Sequence, residues 1–193
     1  MRFITNASTG RMGYAVAQAG LAAGMEVTLI TGPVALAPPA GCDVVRFTSV
    51  ADLKAALEAR FDACDALAMA AAVGDFTVRR LSSGKLRRSQ GPVALQLMPT
   101  EDLLAGVSKH KRPGQKIVAF AVEDGSREEV EARAAAKMSA KGADFILVNT
   151  PAAISARESE AAILSPSGLV LPWALRSKEE LARVVVDLIL TRK

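Results

Sequence analysis

Histidine and cysteine are almost absent from this 193-residue chain, which has one of the former and two of the latter. Cys42 and Cys64 are too few for a disulfide framework or a cysteine-rich metal centre, and both sit among apolar neighbours. A reducing cytoplasm is the expected compartment. His110 lies in the cationic string Lys109-His110-Lys111-Arg112, the pattern of a solvated loop, which disfavours zinc sites and hydrolases centred on histidine. No uncharged run reaches the roughly 18 strongly apolar residues of a membrane span, so no membrane association is expected. The Ala-rich stretch from Tyr14 to Gly24 is no better as a signal peptide, because it follows Arg11, contains Gln18 and runs directly into a strong strand. What remains is ordinary globular composition, 50% hydrophobic and 23% charged with a net charge of +4. Against roughly 150 residues per domain, residues 1–193 are expected to form one domain whose chemistry uses Lys, Asn, Asp or backbone groups.

β-rich runs alternate with helical patterns along the chain. Phe3 to Thr5 precedes a helix from about Gly10 to Ala23, then come Glu26 to Thr31, Asp43 to Thr48, a helix from Val50 to Phe61, and Ala66 to Ala70. A short helix near Glu101 to Ser108 follows, then the strand Lys116 to Val122, a helix from Arg127 to Lys141 and the strand Asp144 to Val148. Val27 to Ile30 and Phe145 to Val148 are nearly continuous apolar runs, as strands buried on both faces of a parallel sheet require. Ser126 with Glu129 and Ser177 with Glu180 have capping-box spacing, and Gly142 marks a helix end. Ser165-Pro166-Ser167-Gly168 separates two strand-like runs, Ala161 to Leu164 and Leu169 to Leu171, as a hairpin before the last helix. The expected fold is α/β, with a mostly parallel sheet covered by helices on both faces.

Four features stand out chemically. Asn6-Ala7-Ser8-Thr9-Gly10-Arg11-Met12-Gly13 joins the first strand-like run to the first helix, and reads either as an anion-binding turn or as an ordinary strand-to-helix connection. It is not a dinucleotide fingerprint, since Leu29-Ile30-Thr31-Gly32 lacks the acid that would meet a ribose. A reductase using a nicotinamide cofactor is further disfavoured because the only tyrosine, Tyr14, is followed four residues on by Gln18 rather than lysine. Ala71-Ala72-Val73-Gly74-Asp75-Phe76 ends a strand in small residues with one acid, suited to a flat ligand and a ribose or metal contact at Asp75, or equally to tight packing under a surface acid. Thr77 to Gln90 holds Arg79, Arg80, Lys85, Arg87 and Arg88 and no acid, in a chain whose total is only +4, so the positive field is local. With Ser82-Ser83-Gly84 at its middle, it suits a basic flap over a polyphosphate or a solvated loop. Nucleic acid is not expected, with Phe76 the sole aromatic nearby for stacking. Finally, Lys137 and Lys141 stand at i and i+4 near a helix C-terminus, either presenting two ammonium groups on one face or complementing the helix dipole.

Taken in order, these segments resemble the phosphopantothenate-cysteine ligase (phosphopantothenoylcysteine synthetase) family of coenzyme A biosynthesis. Asn6 to Gly13 is similar to the family's N-x-S-[ST]-G-x-[MR]-G, and Thr28-Leu29-Ile30-Thr31-Gly32-Pro33-Val34 to its next strand and turn. Ala71 to Phe76 resembles A-A-V-A-D-[YF], Lys85-Leu86-Arg87-Arg88 the flap motif K-I-K-K, and Phe120-Ala121-Val122-Glu123 the motif F-A-A-E. Lys137, Lys141, Asp144 and Asn149 fit K-x3-K-x2-D…N.

The resemblance implies a Rossmann-like three-layer fold with a basic flap and a C-terminal hairpin. It also implies a two-step ligation: 4'-phosphopantothenate and CTP give an acyl-cytidylate and pyrophosphate, and the amine of L-cysteine then displaces CMP. By the same resemblance Asn6 and Lys85 are catalytic, and Ser8, Gly10, Ala70, Ala71, Asp75, Phe120, Lys137 and Lys141 bind the nucleotide. Mg²⁺ would accompany CTP, with its protein ligands unassigned, FMN is not implied, and a homodimer is. Family members begin with a further strand and loop before the segment that opens this chain, and their K-[NT]-P-D stretch here reads Pro99-Thr100-Glu101-Asp102. The alternative these departures leave is a non-catalytic nucleotide-binding relative.

Overall fold

In the computed structural model, residues 5–6, 8–78, 92, 94–153 and 158–191 are described. Helix α1 (Arg11–Ala22) leads to the parallel pair β1 (Thr28–Thr31) and β2 (Asp43–Arg46), then to α2 (Val50–Phe61) and β3 (Ala66–Met69). An antiparallel ribbon of β4 (Phe76–Val78) and β5 (Leu97–Pro99) precedes α3 (Leu103–Ser108). Strand β6 (Lys116–Val122), α4 (Arg127–Ala140) and β7 (Phe145–Asn149) follow, then β8 (Glu158–Ser165), β9 (Gly168–Ser177) and α5 (Lys178–Leu190). The main sheet has the order β3-β6-β7-β8-β9, parallel through β7 and antiparallel from β7 to β9. This is the mostly parallel α/β architecture expected.

The period of two in the strands explains the three layers. Ile117 and Ala119 of β6, Ile146 and Val148 of β7, and Ala162 and Leu164 of β8 face a core built with Leu53, Leu57 and Phe61 of α2, Leu103 and Leu104 of α3, and Val130, Ala134 and Met138 of α4. Their neighbours Val118, Leu147, Ala161 and Ile163 face the other way, onto Leu181 and Val185 of α5 with Met12 and Val16 of α1. Each helix buries residues at spacings of three and four, such as Leu53, Ala56, Leu57 and Phe61 in α2.

Both foreseen capping boxes form. Ser126 accepts the Glu129 amide while Glu129 accepts the Ser126 amide, and Ser177 with Glu180 does the same at α5. A third box, Ser49 with Asp52, starts α2.

Four expectations need correction. Val27 to Ile30, expected to be buried on both faces, is not: Thr28 is exposed and Val27 and Ile30 are half-buried, because β1 pairs only with β2 among the described residues and lies outside the five-stranded sheet. The C-terminal hairpin is longer than its apolar runs, because Glu158, Ser159 and Glu160 pair with Ser177, Arg176 and Leu175 beyond the alternating segment. Thr77 and Val78, assigned to the basic flap, belong instead to β4, held by pairing with Met98 and Leu97. Thr5, the last residue of the first predicted strand, is not in a strand, and Phe3 and Ile4 lie outside the described residues. Among the described residues no ladder joins β1 to β3, and α1 touches both ends of that seam. Tyr14 Oη and Thr31 Oγ1 are 3.1 Å apart at the end of β1. The adjacent Gly13 backs onto Ala70, just past β3, at ordinary contact distance.

Candidate active site at the strand ends

The loop after β3 is the hub of the site. Asn6 donates from Nδ2 to the Ala72 carbonyl at 3.0 Å, which brings the α1 entry segment against that loop. On the loop's far side, Thr100 donates its hydroxyl to the Gly74 carbonyl at 2.5 Å and its amide to the Asp75 carbonyl at 2.8 Å. Ala70 is half-buried, while Ala71 and Asp75 are exposed. The small-residue strand end is thus pinned through its carbonyls, leaving the Asp75 side chain toward solvent.

Gly10 caps α1 with φ +75°, and a Cβ there would stand 3.2 Å from Val34 Cγ1, so both backbone conformation and space call for glycine. Among the described residues no side chain caps this helix and no acid lies in its first turn, while the Ser8 hydroxyl accepts the Gly10 amide at 3.4 Å. Amides at such a terminus favour an anion.

From Thr100 the polar chain continues toward α4. Asp102 caps α3, accepting the Ala105 amide at 3.1 Å, and its other oxygen accepts from Lys141 Nζ at 2.6 Å. Burial pushes the Asp102 carboxyl up, but Lys141 and the helix amides outweigh it and hold the group below the usual range. Lys137 donates instead to Glu123, directly after β6. The two lysines, one helical turn apart, are therefore not a bare pair complementing the helix dipole; each is held by a carboxylate from a different element.

Glu123 also accepts from Arg133 Nε at 3.0 Å. Its burial raises the carboxyl pKa, and the bonds from Lys137 and Arg133 outweigh that, lowering it overall. Phe120 is half-buried in β6 and packs on the α5 face of the sheet. At the end of β7, the Asn149 carbonyl accepts the Glu123 amide, while its buried side-chain oxygen has no partner among the described residues. Asp144 is structural, accepting from Lys111 and from the Ile117 amide. Lys85 and the rest of the flap from 79 to 90 lie outside the described residues.

Asn6 thus adjoins the loop that carries Ala70, Ala71 and Asp75, with Ser8 and Gly10 following it in the α1 entry segment, and Thr100 and Asp102 link that loop to Lys141. Glu123 and Asp102 were quoted from the sequence only as the last residues of two matched stretches, without a site role, and Arg133 was not singled out. The signal for Glu123 was available: it is the first acid after an apolar strand that ends where ligands bind in open α/β sheets. Its partners, ten and fourteen residues on, are given by no local pattern.

The profile of the DNA/pantothenate metabolism flavoprotein C-terminal domain family matches residues 1–192. The chain belongs to that family. As a member, it is 36% identical over 202 residues to the coenzyme A biosynthesis bifunctional protein CoaBC of Mycobacterium bovis, a match covering 99% of this chain and 48% of that protein. A protein from an unknown prokaryotic organism, named cysteine/cysteine sulfinic acid decarboxylase, is 38% identical over 196 residues, covering 99% of this chain and 54% of the other. The chain spans about half the length of these curated relatives. The crystal structure of the C-terminal domain of CoaBC superposes with a TM-score of 0.80 at 28% identity, covering 98% of this chain and 85% of that one. The fold of this family member is accordingly that of the CoaBC C-terminal domain.

Proposed function

We propose that this family member is a cytoplasmic ligase that joins 4'-phosphopantothenate to L-cysteine, activating the acid with CTP. The observation that carries the reading is the Asn6–Ala72 hydrogen bond, because it unites the α1 anion-binding entry with the small-residue strand end. In this reading, the phosphopantothenate carboxylate attacks the α-phosphate of CTP, forming the acyl–phosphate bond and releasing pyrophosphate. The cysteine amine then attacks the acyl carbonyl, and CMP leaves with the bonding pair as the amide forms.

Negative charge builds on the phosphates in the first step, where Lys85 of the flap, Lys137, Lys141 and the amides around Ser8 and Gly10 stabilise it. Asn6 Nδ2 would donate to the carbonyl of the intermediate, with Ala70, Ala71, Asp75 and Phe120 lining the nucleotide. Among the described residues no group of three metal-ligating side chains exists. Mg²⁺ commonly takes one or two carboxylates plus substrate phosphates and water, so exposed Asp75 suits an ion carried by the nucleotide. It would supply further charge neutralisation.

A homodimer is part of this proposal. In this reading the second copy packs on the β4–β5 ribbon, a surface supported by the exposure of Phe76 (60%), Leu97 (46%) and Met98 (41%).

Pyrophosphate release from CTP, Mg²⁺ and 4'-phosphopantothenate, with and without cysteine, tests the ligase. Release sustained only with cysteine and lost in Lys85→Ala supports it. No release, with CTP still protecting the fold against heat, would instead identify the non-catalytic relative.

A further inference from the structure

The surroundings of Glu123 carry an inference about how a nucleotide gains Lys137, and it rests on the ligase reading above. Glu123 is 9% exposed and has two cationic partners that differ in how firmly they are held. Arg133 is doubly tied, to Glu123 through Nε and to the Asp124 carbonyl through its guanidinium. The turn from Glu123 to Gly125 closes around it. Gly125 has φ +128°, which strains any L side chain, and a Cβ there would stand 3.2 Å from the Arg133 guanidinium and 2.9 Å from the Glu129 carboxylate, so a side chain at this position would press on Arg133 and on Glu129. Lys137 has no second hydrogen bond among the described residues; its side chain is 49% exposed against 43% for Arg133, so it is the second hydrogen bond of Arg133, not burial, that separates the two. A half-exposed lysine on a flexible four-carbon stem can leave a carboxylate that a fixed guanidinium continues to neutralise.

We propose that Glu123 is a positioning residue acting through Lys137: it holds the lysine at the strand ends before nucleotide arrives and competes with the phosphates for it. Arg133 keeps Glu123 paired once Lys137 has gone across. The arrangement tunes affinity, because each bound polyphosphate must first break the Glu123–Lys137 pair. Lys141 is not equivalent, since its partner Asp102 also caps α3, and removing that carboxylate would damage the helix.

Opposite effects from two neighbours provide the test. Glu123→Gln should tighten CTP binding by about two- to fivefold, the range of one partly exposed ion pair, and Arg133→Met should weaken it by a similar factor. Inorganic tripolyphosphate should respond as CTP does, because the exchange concerns phosphates and not the base. In a Lys137→Met background, the gain from Glu123→Gln should fall below about twofold.

Calorimetric titration of the folded variants, with thermal unfolding as a control, reads all of this. Weaker or unchanged CTP binding by Glu123→Gln overturns the proposal, as does a gain that persists without Lys137. An Arg133→Met variant that fails to fold leaves the Glu123–Lys137 cycle to decide. Wild-type protein that binds neither CTP nor tripolyphosphate overturns the ligase reading and this proposal together, whereas wild-type binding with loosened Glu123→Gln overturns only the latter.

Discussion

The strands β6, β7 and β8 and the stretch of chain from β1 to β3 are built from similar apolar runs, yet they are buried to very different degrees. Ile117, Val118, Leu147, Val148, Ala161 and Ile163 are completely inaccessible, covered by α4 on one face and α5 on the other. All four residues of β3 remain only half-buried, and in β1 the buried Leu29 and Thr31 alternate with exposed Thr28 and half-buried Ile30. A strand with ladders on both edges and helices on both faces has its backbone polar groups engaged along the ladder, leaving few for a ligand. The proposed chemistry gathers at the looser side and along the strand ends, where loops can present side chains and carbonyls.

Cavity formation is the sharpest way to test that contrast. Leu147→Ala should cost about 3 kcal/mol in equilibrium denaturation, whereas Leu67→Ala in half-buried β3 should cost about half as much. Equal losses would erase the distinction between the two regions.

At the margin of the open side, Gly10→Ala should destabilise by about 1–2 kcal/mol, because an L-residue is strained at φ +75°. It should also weaken CTP binding, which a change confined to the closed side should not do, and a thermal scan with and without CTP separates the two effects.

Helix caps on the closed side should matter less than its core. Ser126→Ala and Ser177→Ala should each lose about 1 kcal/mol, read from the denaturation midpoint.

The smallest effect is a pH dependence at the border of the two regions. The Glu123 and Asp102 carboxyls lie below their ordinary values in the folded protein, so their contribution is fully present above the unfolded pKa, near about 4, and is lost as pH falls through the folded values. Glu123→Gln should flatten the acid limb of stability against pH; an unchanged limb would remove Glu123 from that balance.

The contrast also explains what was legible in the sequence. Helix α2 and strand β6 have the residue bounds expected, since capping and periodicity are local and packing agrees with them. The three-residue strands β4 and β5 were not foreseen, because Phe76 to Val78 alternates too briefly to mark a strand and its partner lies on the other side of the flap. In the site, Asn6, Asp75 and the lysine pair were visible as residue types in a suggestive order. That Asn6 reaches Ala72, that Thr100 holds the same loop, and that Lys137 and Lys141 are held by separate acids depends on contacts between distant elements.

Sequence alone therefore determined the α/β alternation, the doubly buried strand β7, the two capping boxes and the positions where polar chemistry could lie, since these follow from side-chain period and backbone preference within a few residues. Tertiary structure decided which carboxylate meets which lysine. Ion pairs and loop anchors form between groups whose separation is set by the packing of whole helices on the sheet, and no short stretch of chain encodes that distance.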